Sequence, residues 1–202
     1  MEAAARIEDF RHGRVPRAVR RHQLVELAED LFAERGYAGA SMDELCRRAG
    51  VTKPVVYELF ESKDGLFRAC VDRSVERMAE SIAAAVRAED EPEARMRAGS
   101  LAFLRFAREN RVAFDLVAMG GGGRFADQAL GVRRSQARLI HTLLAELARE
   151  DADPRELEAA AFAVNSAYEG VALWMWEHPE VPVEQVADWA VDLLVPGLRR
   201  LM

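Results

Sequence analysis

The stretch from Ser41 to Phe60, SMDELCRRAGVTKPVVYELF, constrains the fold of this chain more than any other. Ser41 is followed three residues later by Glu44, a capping-box pattern in which a hydroxyl and a carboxylate bond the free amides at the start of a helix. Gly50 then supplies a residue that adopts positive φ without steric cost, so the chain can reverse there. The pattern predicts a short helix from about residue 42 that ends in a tight turn at Gly50.

A second short helix is predicted directly after this turn, from about Lys53 to Leu59. Thr52 is a suitable N-cap residue, and Pro54 falls in the first turn, where its missing N–H loses no helical hydrogen bond. Two helices joined by a glycine-containing turn form the geometry that lays the second helix in the major groove of DNA. The same pattern also fits an ordinary helical hairpin in an all-α protein, so the stretch alone leaves both interpretations open.

Several side chains around the second helix suit contacts with DNA. Threonine and lysine donate hydrogen bonds to phosphate, valine can contact a thymine methyl group, and a tyrosine ring packs against the backbone. The next predicted helix opens with Lys63, whose ammonium could hold a phosphate together with the first amides of that helix. The predicted DNA-binding residues are Ser41, Thr52, Lys53, Pro54, Val55, Tyr57 and Lys63.

The residues on both sides of this stretch carry a family resemblance. The positions concerned are Arg35, Gly36, Tyr37, Ser41, Leu45, Ala49, Gly50, Val51, Lys53, Tyr57, Phe60, Ser62, Lys63, Leu66 and Phe67. In their order and spacing they resemble the DNA-binding domain of the tetracycline-repressor (TetR) family of transcriptional regulators, and the similarity extends from Arg20 to Cys70. The resemblance implies a dimeric, ligand-responsive, all-helical DNA-binding regulator.

Length and composition are those of a globular protein that folds in water. The chain has 202 residues, of which 50% are hydrophobic and 31% charged. It has no run of eighteen apolar residues, its first residues are charged where a secretory signal needs an apolar core, and its two cysteines make no disulfide framework. We therefore expect a cytoplasmic protein with no membrane contact.

The formal net charge of −6 is unevenly distributed along the chain. Of 28 basic and 34 acidic residues, the first 70 residues hold 12 of each, so the whole excess of acid lies in the remainder. The acidic charge of the residues after position 70 repels DNA phosphate from surfaces that take no part in binding. The overall acidity is therefore compatible with DNA binding by the first 70 residues. Both lysines of the chain, Lys53 and Lys63, fall in the predicted DNA-reading region.

Three segments are predicted: a flexible basic arm over 1–16, a helix-turn-helix domain over 17–67, and a helical ligand-binding and dimerisation domain over 68–202. Arginines near the N-terminus favour either a solvated tail or an arm that enters the minor groove. The fold class is all-α, because helical periodicity recurs throughout and no strand pattern competes with it. After the first three helices, further helices are predicted at about 63–87, 92–109, 111–119, 124–149, 155–177 and 183–201.

The last two predicted helices carry apolar residues around more of their circumference than one stripe needs. A face of small residues with one large aromatic side chain lets another helix approach closely. Together the two helices resemble the family's dimerisation element, a four-helix bundle made from two helices of each subunit, whereas a buried monomer core is the alternative. The predicted dimer-interface residues are Ala163, Ala167, Gly170, Trp174, Trp189 and Leu193.

Polar residues on or beside the apolar stripes of the body predict a ligand pocket. A few convergent polar groups in an apolar cavity are typical of a binding site, although the same groups can also be satisfied inside a core. The predicted ligand-binding residues are Phe103, Phe106, Phe114, Met119, Gln136, Ile140, Asn165 and Tyr168.

The sequence predicts a DNA-binding repressor that binds a palindromic operator as a homodimer and is released by a small, mostly apolar effector. An enzyme is the first rival, but no catalytic or metal-ligand spacing stands out, and the glycine run 120–123 lacks the Lys-Ser/Thr pair of a phosphate loop. We expect no catalytic residue, metal or cofactor. The second rival is a helical ligand-binding or interaction protein with a degenerate DNA motif. Two features suggest it: Leu59 stands where the family usually has another residue type, and the first 70 residues have no net charge.

Overall fold

The computed structural model describes residues 15–110 and 125–201, and this part of the chain is built from α-helices without a β-strand. The all-α class expected from the sequence is confirmed. The helices are α1 (Arg17–Gly39), α2 (Met42–Ala49), α3 (Lys53–Phe60), α4 (Lys63–Arg87), α5 (Pro92–Glu109), α6 (Ala126–Ala145), α7 (Pro154–Glu177) and α8 (Val183–Leu198). The predicted basic arm, apart from its last two residues, and the predicted helix at 111–119 with its glycine run lie outside the described residues.

The chain divides into two compact units between Arg73 and Ser74. The first unit contains α1 to α3 and the beginning of α4, and the second contains the rest of α4 together with α5 to α8. The domain boundary placed after residue 67 by sequence also falls within α4. Among the described helices, none is both long enough and apolar enough to cross a membrane.

The first unit is built around the apolar stripe of α1. Leu24, Ala28, Leu31 and Phe32 follow the i, i+4, i+7, i+8 spacing of one helix face, and all four are buried. The Phe32 ring meets the Phe67 ring edge-on, with 4.9 Å between centroids. Burial of each large apolar side chain contributes about 1.5–3 kcal/mol, so this stripe stabilises the helix against which α2 packs.

The sequence predicts that the first helix stops at Gly36. In the structure Gly36 has φ 67° and ψ 171°, which interrupts the helical backbone before α1 ends at Gly39. A side chain with a Cβ is strained at this φ, so a glycine is the residue that allows the interruption.

The second unit has its core between α5, α7 and α8, with α6 packed on α7. Leu104, Ala172, Met175 and Val186 are among the most buried side chains of this core. Ion pairs join α5 to α8 at the surface, including Arg105 with Glu184 at 2.8 Å. This arrangement leaves the outer face of α7 and α8 to solvent and places the inner face around a cavity.

Two glycines with open surroundings should respond oppositely to alanine. Gly131 lies inside α6, and no described atom lies within 4 Å of a Cβ built there, so Gly131→Ala should raise the free energy of unfolding by about 0.5–1 kcal/mol. A Cβ built at Gly50 also has no described atom within 4 Å, but Gly50 has φ 63°. Gly50→Ala should therefore lower the free energy of unfolding by about 1–2 kcal/mol. Urea unfolding followed by circular dichroism measures both changes, and a stabilised Gly50→Ala variant would contradict the backbone argument.

Candidate nucleic-acid interface and internal cavity

The turn between α2 and α3 is closed by a left-handed residue. Gly50 has φ 63° and ψ 34°, and its N–H donates to the Arg47 carbonyl at 3.4 Å. The Val51 N–H donates to the Cys46 carbonyl at 3.0 Å, which satisfies a carbonyl at the end of α2. The turn brings Leu45 of α2 and Val56 of α3 into the core, where both are fully buried.

The start of α2 differs from the capping box that the sequence predicts. Ser41 does cap the helix, because its hydroxyl oxygen accepts from the Asp43 N–H at 3.2 Å. Glu44, however, bonds the guanidinium groups of Arg47 and Arg48 instead of turning back to the Ser41 amide. Hydrogen bonds between two charged groups are stronger than one to a neutral amide, which accounts for the difference.

Arg48 ties α2 to α1. Its two terminal nitrogens donate to the two carboxylate oxygens of Glu34 at 2.8 and 2.7 Å, and its Nε donates to Glu44 at 2.9 Å. The hydrogen bond from Arg48 holds the pKa of Glu34 below its ordinary value. The bidentate contact fixes the orientation of α2 on α1 more than it adds stability, because Glu34 is half exposed.

Most of the residues predicted to contact DNA lie together on the exposed beginning of α3. Thr52, Lys53 and Pro54 are exposed, Val55 is half-buried, and Tyr57 keeps 43% of its surface accessible. The Thr52 hydroxyl makes no capping hydrogen bond to α3. Ser41 is at the start of α2, where it caps the helix turn that contains Asp43, the residue that contacts Lys53. The exposed set is suitable for reading a groove, and its contact with DNA stays a prediction.

Lys53 already has an anionic neighbour within the unit. Its ammonium lies 2.7 Å from Asp43 Oδ1, and the hydrogen bond to Asp43 raises the pKa of Lys53. Both side chains are more than half exposed, so the pair contributes little to stability. Asp43 therefore competes with any other anion for this lysine.

Lys63 is held against its own unit. Its ammonium lies 4.7 Å from the centroid of the Tyr37 ring and donates to the Ala38 carbonyl at 3.4 Å. The Tyr37 hydroxyl in turn donates to Asp64. Lys63 is therefore half-buried at the start of α4, and part of its hydrogen-bonding capacity is used within its own unit.

The arginines at the start of α1 lie near the end of α3. Arg17 donates to the Glu58 carbonyl at 3.3 Å, and the Arg21 guanidinium lies 5.2 Å from the centroid of the Phe60 ring. These two arginines therefore belong to the helical part of the unit. The arginines at positions 6, 11 and 14 lie outside the described residues.

The second unit contains a partly open cavity of about 110 Å³. Its wall is formed by the end of α4 and by α5 to α8, and most of the lining side chains are apolar. Four of the predicted ligand-binding residues lie on this wall: Phe103, Ile140, Asn165 and Tyr168. The cavity is large enough to hold several water molecules or part of a small organic ligand.

The other predicted ligand-binding residues lie elsewhere. Gln136 is buried, but its side-chain nitrogen lies 3.8 Å from the Met78 sulfur, and the residue is not on the cavity wall. Phe106 packs against the core cluster that contains Leu104. Phe114 and Met119 lie outside the described residues. The ligand-binding role of all eight residues stays a prediction.

Two hydrogen bonds on the cavity wall join Tyr168 of α7 to Ser100 and Ser100 to the Met96 carbonyl on α5. The Ser100 hydroxyl donates to the Met96 carbonyl at 2.7 Å, so the hydrogen between Ser100 and Tyr168 must come from the tyrosine. Burial raises the pKa of the Tyr168 phenol above its ordinary value of 10.0, while the hydrogen bond with Ser100 acts in the opposite direction. Tyr168 is therefore neutral at physiological pH.

Asn165 is held by a buried carboxylate, Glu169, that is absent from the ligand-binding residues predicted from the sequence. Its side-chain amide donates to Glu169 Oε1 at 3.0 Å, and Arg133 lies 3.2 Å from the other oxygen of that carboxylate. Glu169 is only 7% exposed. Its spacing of four from Asn165 was the available signal, because such residues share one face of a helix.

Arg95 is the second overlooked residue, since it lies on the cavity wall. Its guanidinium donates to Glu146, which is half exposed and directly follows α6. The i, i+4, i+8 spacing of Arg95, Gly99 and Phe103 placed it on the cavity face, but its charge suggested a surface position.

The outer face of α7 and α8 exposes large apolar side chains. Phe162, Trp174, Trp189 and Leu193 keep between 38% and 75% of their surface accessible. The Trp174 and Trp189 rings meet edge-on with 6.2 Å between centroids, and no described atom lies within 4 Å of a Cβ built at Gly170. The predicted interface residues Ala163 and Ala167 share this side of α7, with Ala163 exposed and Ala167 half-buried.

A helix-turn-helix unit followed by a helical unit with an apolar cavity defines the class of two-part DNA-binding regulators. Residues 24–70 match the family model for bacterial regulatory proteins of the tetR family, and residues 92–197 match the tetracyclin repressor-like C-terminal domain. A solved TetR-like transcriptional regulator from Rhodococcus sp. RHA1 is 30% identical, with a TM-score of 0.66 over 92% of this chain and 99% of that one.

The chain belongs to the TetR family of transcriptional regulators, and the resemblance found in its sequence is confirmed. The HTH-type transcriptional activator FasR of Mycolicibacterium smegmatis is 38% identical over 107 residues, which is 53% of this chain and 49% of FasR. The HTH-type transcriptional repressor ComR of Escherichia coli is 36% identical over 64 residues, 32% of this chain and 30% of ComR. The chain thus spans about half or less of the length of these curated relatives.

The raised pKa of Tyr168 predicts a dependence of stability on alkaline pH. The folded state favours the neutral phenol, so this contribution is complete below the ordinary pKa of 10.0 and is lost as the pH rises through the raised value. Tyr168→Phe should lower the free energy of unfolding by about 1 kcal/mol at neutral pH, and the difference from the wild type should shrink above about pH 10. Urea unfolding from neutral pH to above about pH 10 measures the difference in free energy of unfolding, with Tyr57→Phe at an exposed position as the control. A difference that stays constant with pH would contradict the raised pKa of Tyr168.

Proposed function

We propose that this TetR-family regulator is a repressor that binds a palindromic operator as a homodimer, with α3 as the helix that reads the major groove. The observation that carries the DNA-binding part is the exposed beginning of α3, where Thr52, Lys53 and Tyr57 lie together on a helix whose opposite side is buried. A helix fixed in this way presents its first residues to base edges and phosphates. No catalytic activity is proposed.

The homodimer part rests on the outer face of α7 and α8. Its exposed tryptophans and Leu193 form an apolar surface of the kind that is covered by a protein partner, and Gly170 leaves room for the close approach of another helix. A two-fold dimer places its reading helices about 34 Å apart, so that both reach successive major grooves of a palindromic site.

The effector part rests on the apolar cavity of the second unit, whose wall includes Phe103, Asn165 and Tyr168. A ligand releases DNA when it favours a form of the dimer other than the DNA-bound one, and a coupling of about 1–3 kcal/mol weakens operator binding roughly 5- to 150-fold. Repression is proposed because ComR is named a repressor. FasR is named an activator, so a promoter fusion with and without the regulator tests the sign of control.

The proposed role of α3 in reading DNA gives the first of three functional predictions. Lys53→Ala and Tyr57→Ala should each weaken operator binding by about 1–3 kcal/mol if they contact bases or well-placed phosphates. The operator is a duplex selected by the wild type from a random-sequence pool, and affinity is measured at fixed salt. Arg155→Ala, which removes an exposed positive charge from the start of α7, is the matched control. Unchanged affinity in both α3 variants would refute the assignment of the reading helix.

The second prediction concerns the anion that competes for Lys53. Asp43→Asn should tighten operator binding by about twofold to fivefold, because the lysine is then free to pair with phosphate. Asp30→Asn removes another exposed carboxylate, from α1, and separates this effect from the loss of one negative charge. Equal gains in the two variants would mean that only net charge is involved.

The third prediction concerns the homodimer. Gly170→Leu should give monomers in sedimentation experiments, and operator binding should weaken because each half-site loses its linked partner. The single chain has space for the new side chain, so folding is expected to be retained. Gly131→Leu makes the same change at an open position of α6 and should remain dimeric. A folded, fully dimeric Gly170→Leu protein would refute this face as the interface.

A further inference from the structure

Arg95 gives one end of the apolar cavity a positive charge. It lies in the first turns of α5 and lines the cavity together with Gly99 and Phe103, which follow it at intervals of four residues. Only 18% of its side chain is accessible to solvent. A cation so placed must find its partners among the protein groups around it or in whatever occupies the cavity.

The hydrogen bonds of Arg95 are incomplete. Its guanidinium donates to a single described side chain, the carboxylate of Glu146. Its Nε–H is shut off from water and has no partner among the described residues. A guanidinium has five donors, and a buried donor without an acceptor is unfavourable, so this edge of Arg95 requires an acceptor that the described protein does not supply.

The existing partner of Arg95 is easily replaced. Glu146 is half exposed, so its carboxylate can turn to water when another anion takes its place. Because one partner is half exposed, this ion pair contributes little, and a carboxylate that makes two parallel hydrogen bonds to Arg95 can replace it.

The wall beyond Arg95 is suitable for a hydrocarbon body. Along α5, Arg95 and Phe103 are separated by eight residues, or about 12 Å of helix. The rest of the wall is contributed mainly by aliphatic side chains, among them Ile82, Leu144 and Val195, and its polar members are Ser100, Asn165 and Tyr168. A ligand that fills this space therefore has an apolar chain of about that length with one charged end.

We propose that the cavity binds an amphipathic carboxylate, with the anionic head paired to the Nε edge of Arg95 and the unbranched apolar chain directed towards Phe103. This inference rests on the proposed effector cavity and specifies the class of its ligand. In the structure the Nε of Arg95 is shut off from water, so the proposal requires the guanidinium to rotate until its Nε edge faces the cavity. Two parallel hydrogen bonds can then bind the carboxylate. Glu146 then acts as an internal competitor that the ligand displaces.

The test compares two probes of equal chain length, decanoate and 1-decanol, by isothermal titration calorimetry on the full chain. The wild type should bind decanoate at least about tenfold more tightly than decanol, because the alcohol cannot form the paired charged hydrogen bonds. Arg95→Gln should reduce that preference to near unity through a loss of decanoate affinity, while decanol affinity is retained.

Two further variants separate the proposal from a general effect of charge or folding. Arg97→Gln removes a positive charge from the same helix, but Arg97 pairs with Asp188 at the surface and does not line the cavity, so the preference for decanoate should persist. Glu146→Gln removes the competitor and should tighten decanoate binding by about twofold or more, with no effect on decanol. Thermal unfolding verifies that each variant is folded.

Each result decides for or against the proposal. Equal binding of decanoate and decanol by the wild type overturns the anionic specificity but leaves an apolar effector cavity in place. Binding of neither probe overturns both. An unchanged Glu146→Gln variant, or equal losses in Arg95→Gln and Arg97→Gln, also overturns it. Operator release by decanoate is measured separately, so selective binding without release would support the ligand class while refuting its role as the effector.

Discussion

The left-handed turn at Gly50 is the constraint on which the first unit depends. The positive φ of Gly50 lets α3 leave α2 in the direction that buries both Leu45 and Val56. With the inner side of α3 fixed in this way, its first residues have no direction left except outwards. The exposed group around Lys53 is thus a consequence of packing, and its geometry is set before any nucleic acid is present.

Most features of the first unit could be predicted because they depend on local sequence patterns. Features that depend on contacts between residues distant in sequence could not. The Ser41 cap, the Gly50 turn and the interruption at Gly36 are decided by a few neighbouring residues, so the sequence indicated all three. The Glu44 partner was missed because Arg48 is held by Glu34, fourteen residues away, and the three charges orient together. A capping-box spacing carries no information about that competition.

The cavity shows a different limit. Helical periodicity correctly grouped Phe103, Ile140 and Tyr168 on inward faces, but an apolar stripe spans about 100° of a helix and does not separate the core side from the cavity side. Gln136 and Phe106 do not line the cavity, whereas Phe103 belongs both to the core cluster and to the cavity wall. Arg95 was missed because a long charged side chain is ordinarily assigned to the surface, although its aliphatic stem allows it to follow an apolar wall.

The hydrogen-bond chain from Tyr168 through Ser100 to the Met96 carbonyl has a direction. Because the helix carbonyl can only accept, both hydroxyl hydrogens point along the chain, and the phenol oxygen faces its remaining surroundings with lone pairs alone. A polar atom that meets this oxygen must therefore bring its own hydrogen. An alcohol satisfies that requirement and the corresponding ketone does not, so a backbone carbonyl on α5 restricts which functional group can pair with Tyr168 without touching that group itself.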